Sequence, residues 1–219
     1  MKKILRRLKK PRWLYLLWRK LIPLSPKYGM ERGQPVDRYY IDLFLSHHAD
    51  SIRGKCLEVR DNRYTGRFAS QITHADILDI DTANTEATIH ADLRSAPQIP
   101  DNTYDCLILT QVFQYIDDVT AALRECYRIL KPGGVLLAVV PAMARLDPKI
   151  PEYWRFTADG MRRLLGTVFS EEHTTVTGHG NVLVGTGFWI GQAAEEFSKK
   201  ELDYNDQNFS IIITICAKK

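Results

Sequence analysis

The chain has 219 residues with 30 basic and 26 acidic side chains, which is the size of one α/β domain with an extension. Its four cysteines are scattered with no CxxC pair, which excludes a zinc knuckle or a disulfide framework and fits reduced core thiols in a cytoplasmic protein. Ten of the basic residues precede Glu31 and no acid does; the remainder, with twenty basic residues against twenty-six acids, is acidic, which argues against general nucleic-acid binding.

Residues 1–30 read as a basic amphipathic arm and residues 31–219 as the folded domain. The arm mixes Lys2, Lys3, Arg6, Arg7, Lys9 and Lys10 with Ile4, Leu5 and Leu8, then Trp13, Leu14, Leu16, Leu17 and Trp18. The apolar run from Trp13 to Trp18 is too short to span a bilayer or to form a signal-peptide core. Trp, Leu and Lys/Arg together suit a helix lying on an anionic membrane through residues 1–25, with Pro11 dividing it. A solvated tail, or a helix packed on the domain or a partner chain, is the alternative.

Within the domain, Val36–Ala49 carries helical spacing, with Tyr40, Leu43, Phe44 and His47 on one side. His47 and His48 are adjacent, so they point apart on a helix, and no metal site is expected. Lys55–Val59 reads as the first strand, Ala75–Asp81 as the second and Ala87–Ala91 as a short third. Cys106–Leu109 is an apolar run with the composition of a buried strand. Ala122, Leu123, Cys126, Tyr127 and Leu130 share a helix face, with Lys131 suited to that helix's negative end. Pro132 and Gly133-Gly134 are expected to stop the helix and turn the chain into a strand over Val135–Val140. Thr157 caps a helix to about Phe169. Thr174–Thr177 reads as a sixth strand, Asn181–Phe197 as a helix, 198–208 as a surface connection and Phe209–Ala217 as the last strand. Strand, helix and strand in this order make right-handed βαβ units and a parallel sheet.

The run Tyr104 to Pro141, with Tyr-Asp, a helix and Arg-Ile-Leu-Lys-Pro-Gly-Gly-x-Leu, resembles the fourth and fifth strands of class I S-adenosylmethionine-dependent methyltransferases, and among them the type 11 small-molecule methyltransferases. The resemblance implies an α/β, Rossmann-like, seven-stranded sheet. It is mostly parallel with the last strand antiparallel between the fifth and sixth, and helices lie on both faces. It also implies S-adenosylmethionine as methyl donor and a small-molecule or glycan acceptor, methylated at oxygen.

In such a sheet the ligand lies beyond the carboxyl ends of the strands at the switch point. The resemblance places Asp81 on the donor's ribose, with Asp79 as fallback, and Asp92 with Leu93 at the adenine. Thr110 and Gln111 follow the fourth strand on the donor side. Glu58 matches the acid of the first motif, but the glycine positions after it hold Arg60, Asn62 and Tyr64. Glycine serves there through its unusual dihedrals and lack of bulk. Asn62 is the residue expected to take left-handed geometry. The loop then either follows another path, with Tyr64 and Arg67 reaching the cofactor by side chain, or no longer holds it. Gln111, Gln114 and Tyr115 could orient an acceptor, and Tyr115 is a candidate catalytic residue. Trp154, with Arg155, lies on the substrate side and could stack on a sugar, or pack with Phe156 in the core. His179 is the candidate base. The rival to an enzyme is a non-catalytic scaffold partnering a glycosyltransferase or a membrane complex. A Rossmann oxidoreductase ranks third, because its glycine fingerprint is absent too.

Overall fold

The structure, a computed structural model, describes residues 21–68 and 71–219. The expectation of an amphipathic segment divided at Pro11 falls outside the described residues. The elements are α1 (Val36–His47), β1 (Arg53–Val59), α2 (Thr65–Phe68), β2 (Gln71–Asp79), β3 (Ile89–His90), β4 (Tyr104–Thr110), α3 (Val119–Ile129), β5 (Leu130–Pro141), α4 (Ala158–Leu165), β6 (Thr174–His179), α5 (Val182–Ile190), α6 (Lys199–Asp203) and β7 (Ile212–Lys218). Seven strands form one sheet in the order β3-β2-β1-β4-β5-β7-β6. Strands β1 to β5 pair in parallel, and β7 runs antiparallel between β5 and β6.

Because successive strand residues face opposite sides, the central strands must be apolar throughout. Cys106 to Leu109 are accordingly all buried. Leu107, Leu109 and Leu136 pack beneath Leu123 and Ile129 of α3 and Met161 of α4. Cys106, Ile108 and Val139 pack beneath Tyr40 and Phe44 of α1 and Phe188 of α5. Full burial of each such Leu, Ile or Phe contributes roughly 1.5–3 kcal/mol. Cys56 lies directly opposite Cys106 in the sheet, Cys126 is on the buried face of α3, and Cys216 is half-buried; all four thiols are free.

The Lys-Pro-Gly-Gly segment behaves differently from the expected turn. The helix α3 stops at Ile129 and the chain enters β5 at once. Tyr104 pairs with Leu130 and Cys106 with Val135, so Asp105 alone faces Lys131 to Gly134 in a wide bulge. Gly133 has φ +80°, and its N–H donates to the Lys219 carbonyl at 2.9 Å. A Cβ on Gly134 would sit 2.9 Å from the Lys131 carbonyl oxygen and 3.0 Å from that of Tyr104. Lys131 does not serve the helix end: its Nζ lies 2.7 Å from Asp105 Oδ2. Arg128 occupies the last helical turn instead, bonding the Ile99 and Ala96 carbonyls at 2.8 and 3.0 Å.

Other boundaries shift as well. Strand β2 ends at Asp79 rather than Asp81, β6 continues through His179, and β7 begins at Ile212. Helix α5 ends at Ile190 because Gly191 takes φ +83°. The expected surface connection contains α6, held by a capping box between Ser198 and Glu201. Thr157 caps α4 as expected, accepting from Gly160 N at 3.0 Å, but α4 ends at Leu165. Among the described residues, no helix is long and apolar enough to cross a membrane.

Candidate active site

The chain leaves β1 toward β2 and leaves β4 toward β5, so the loops at the carboxyl ends of β1 and β4 diverge and open a crevice. At the end of β1, buried Glu58 accepts N–H bonds from Tyr64 at 3.1 Å and Thr65 at 2.9 Å. Its carboxylate thus caps the short α2, and burial raises its pKa against the pull of those N–H groups. Arg60, at the first glycine position, holds φ +77°. Its N–H donates to Leu78 O at 2.9 Å and its carbonyl accepts from Asn84 Nδ2 at 2.8 Å. The left-handed residue is therefore Arg60 and not Asn62, which is exposed. The Tyr64 ring is buried in the core on the α1 side, its hydroxyl bonded to Arg38. Arg67 turns to Asp42 of α1 at 3.0 Å.

Asp79 closes β2 beside this turn; its Oδ2 accepts from Asn84 Nδ2 at 2.7 Å and its Oδ1 from Asp81 N at 2.9 Å. Asp81 lies two residues beyond the strand, exposed, with Oδ1 accepting from Ala83 N at 2.9 Å. Asp92 follows β3 and is gripped by Arg94 at 2.6 Å, and Arg94 also reaches Asp117 at 2.6 Å. The Arg94 guanidinium holds the Asp92 carboxyl below its ordinary range. Leu93 is buried in the core.

At the end of β4, Thr110 is followed by Gln111, which also takes a left-handed φ of +57°. Gln111 N donates to Val139 O at 2.8 Å, and its Nε2 lies 3.5 Å from Asp37 Oδ2 at the start of α1. Burial pushes the Asp37 carboxyl up. Gln114 is only 3% exposed; its Nε2 donates to Gln111 Oε1 at 3.1 Å, while its own Oε1 is buried with no hydrogen-bond partner. A buried acceptor in that state costs about 1–3 kcal/mol and calls for a donor. Non-glycine residues in the left-handed region are uncommon, and one of them, Gln111, is bonded to Gln114 here.

Opposite, the loop after β5 contributes Arg145, whose backbone N donates to Tyr28 Oη at 2.9 Å and whose carbonyl accepts from it at 3.1 Å. Glu152 pairs with Arg155 at 2.6 Å, its side chain almost fully buried. Trp154 is 44% exposed and anchored by Nε1 to Ile116 O at 2.8 Å, whereas Phe156 is buried. Tyr115 is partly exposed, and burial together with Glu152 raises its phenol pKa. Asp37, Arg38, Tyr28 and Arg145 were not singled out in the sequence, where only an acid in a first helical turn marks Asp37.

His179 is not brought to this cluster. It is the last residue of β6, three strands from β4, or roughly 14 Å across the sheet. Its Nε2 lies 2.8 Å from Thr214 Oγ1 and its ring rests near Tyr40. There it lines a separate cavity of about 180 Å³ with Phe44, His47, Thr177 and Cys216. Burial lowers its pKa. Among the described residues, no group of three or more His, Cys, Asp or Glu is arranged to hold a metal ion.

Residues 57–138 match the family described as a methyltransferase domain. The fold is that of the class I S-adenosylmethionine-dependent methyltransferases. A methyltransferase from Archaeoglobus fulgidus superposes with a TM-score of 0.57 over 83% of this chain and 94% of its own, at 12% identity. The [4+2]-cyclase SpnF superposes with a TM-score of 0.54 over 86% of this chain and 84% of its own, at 15% identity. Over 70 residues the chain is 39% identical to the ubiquinone/menaquinone biosynthesis C-methyltransferase UbiE of Pasteurella multocida, covering 31% of this chain and 26% of that protein. The chain spans about a quarter of the length of the curated relatives it matches.

The turn after β1 lacks the glycines of the first motif, and Arg60 supplies its left-handed residue. The chemistry of the crevice, with acids at the ends of β2 and β3 and an unpartnered acceptor after β4, fits a cationic, ribose-bearing donor such as S-adenosylmethionine.

Proposed function

We propose that the protein transfers a methyl group from S-adenosylmethionine to an oxygen of a small molecule or glycan. The observation that carries the reading is the buried, unpartnered Gln114 Oε1 beside the left-handed Gln111 at the end of β4. Bound S-adenosylmethionine supplies an electrophilic methyl on a sulfonium. In this reading Asp79 takes the ribose hydroxyls in place of Asp81, because Asp79 ends β2 beside Arg60. Asp92 and Leu93 border the adenine, and the turn from Glu58 to Tyr64, with Thr110 and Gln111, encloses the amino-acid end. Gln114, Tyr115, Trp154 and Arg155 orient the acceptor. Tyr115, with its raised pKa, donates a hydrogen bond rather than taking a proton, so positioning supplies most of the rate. The half-exposed Trp154 ring offers a flat apolar face of the kind sugars stack on. We place this activity in the cytoplasm, with residues 1–25 as a contact for an anionic membrane.

A thermal shift tests the donor assignment. S-adenosylhomocysteine at about 100 times its Kd stabilises by about 2.7 kcal/mol, which is roughly 5–10 °C in a chain of this size. No shift at millimolar ligand refutes the reading. One observation favours a second, non-catalytic role: both oxygens of Asp92 are already engaged by Arg94. Fold alone does not choose between them, since a cyclase shares it. A scaffold predicts no shift and unchanged partner binding when Gln114 is replaced.

A further inference from the structure

Helix α5, Val182-Leu-Val-Gly-Thr-Gly-Phe-Trp-Ile190, is apolar on every side. Val184 and Phe188 face the core, but Val182, Leu183 and Trp189 point outward and are 42–58% exposed. The one hydroxyl on that outer face, Thr186 Oγ1, is spent on Val182 O at 2.8 Å. The other long helices present charge to solvent, such as Arg124 on α3 and Arg162 and Arg163 on α4. A helix hydrophobic all round is ordinarily enclosed, and among the described residues nothing covers this face.

The apolar surface continues into the chain before α1. Leu24 N donates to Ile190 O at 2.7 Å, and Gly191 packs against Ser25, which fixes residues 24–25 at the end of α5. Leu21, Ile22 and Leu24 there are 57–104% exposed. Immediately before Leu21 the sequence holds nine basic residues and no acid. The exposed apolar side chains and Trp189 thus adjoin residues 21–24, which follow a densely basic stretch in the sequence. A second copy of the chain fits this poorly, because a two-fold contact through α5 would bring two such basic segments together.

We propose that the outer face of α5 and residues 21–24 form one docking surface for an anionic lipid bilayer. The basic segment before Leu21 supplies the attraction, and Trp189 seats at the level of the headgroups. Phe188 stacks on Tyr28 at 5.0 Å and Tyr28 bonds Arg145, so the docked face lies beside the loop that follows β5. The inference extends the reading of residues 1–25 as a membrane contact and is independent of methyl transfer.

Vesicle sedimentation tests it with phosphatidylglycerol-containing and pure phosphatidylcholine vesicles. The full chain should partition onto the anionic vesicles. The double variant Leu183→Glu/Trp189→Glu should lose about ten-fold or more, and so should a chain lacking residues 1–20. A second measurement does not depend on how the charged variant folds. A chain with Trp13→Phe, Trp18→Phe and Trp154→Phe keeps Trp189 as its one indole, whose fluorescence brominated lipids should quench. Three results overturn the proposal: no binding of the full chain to anionic vesicles, which for a monomer assigns the face to its own arm; binding without quenching of Trp189, which assigns contact to the arm alone; or a dimer that the charged double variant splits, which assigns the face to a second copy.

Discussion

Replacing Arg60 by glycine should stabilise this protein, although glycine is normally a destabilising choice. Arg60 holds φ +77°, where a side chain costs roughly 1–2 kcal/mol through the contact of its Cβ with the following carbonyl. Glycine removes that cost but adds about 0.4–1 kcal/mol of backbone entropy to the unfolded chain. The backbone bonds to Leu78 and Asn84 survive the change. The net gain is about 0.5–1 kcal/mol, or about 2 °C in Tm for a chain of this length. Asn62→Gly is the matched control: Asn62 is not among the left-handed residues, so glycine there brings only the entropy cost and should lower Tm by a similar amount. Thermal and urea unfolding of the two variants give opposite signs if Arg60 carries the turn. A drop in Tm for Arg60→Gly with a rise for Asn62→Gly would sink the reasoning.

Asp79→Ala should abolish most of the S-adenosylhomocysteine thermal shift while Asp81→Ala leaves it intact; equal losses would mean the ribose acid is not decided by the end of β2. Gln114→Met keeps the side chain's length and removes a buried, unpartnered acceptor together with the Nε2 bond to Gln111, two effects of opposite sign, so Tm should change little while turnover falls at least ten-fold; a loss of stability with unchanged turnover would make Gln114 purely structural. Asp76 is the pH-sensitive carboxylate: burial raises its pKa, but bonds from Tyr104 at 2.9 Å, Lys55 at 3.1 Å, His74 at 3.0 Å and Thr88 at 3.0 Å outweigh burial and hold it below the ordinary value. Its folded pKa being depressed, its contribution is full above the unfolded value and is lost as pH falls through the folded one. Asp76→Asn should thus cost about 1–3 kcal/mol at pH 7, and the gap from the parent protein should close in urea titrations carried below pH 4.

The sheet was legible from residues because the fully buried strands leave a plain signature: Cys106 to Leu109 and Val135 to Val140 are unbroken apolar runs. Ends of elements were less so. Lys-Pro-Gly-Gly has turn chemistry, yet pairing with Tyr104 on one side and Lys219 on the other holds it in β5 as a bulge. Asp81 and Asp79 share a face, and only the backbone shows which one closes the strand. His179 read as a loop residue because Gly178 and Gly180 flank it; the ladder to β7 carries the strand through it, onto the far edge. The crevice residues from outside the strand pattern, Tyr28, Asp37 and Arg145, meet through contacts more than seventy positions apart, which no local spacing encodes.

The thiols in the middle of the sheet have a practical consequence. Cys56 beside it and its own burial push the Cys106 thiol well up, and burial does the same to Cys126. Neither can form a thiolate or meet a reagent while the strands remain paired. Cys216, half-buried at the wall of the cavity near His179, is the accessible exception. Alkylation of the native protein should therefore proceed in two phases, one fast thiol and then the buried ones at a rate set by opening of the sheet. The chain carries its own clock for global unfolding, which a bound ligand would slow without any label being introduced.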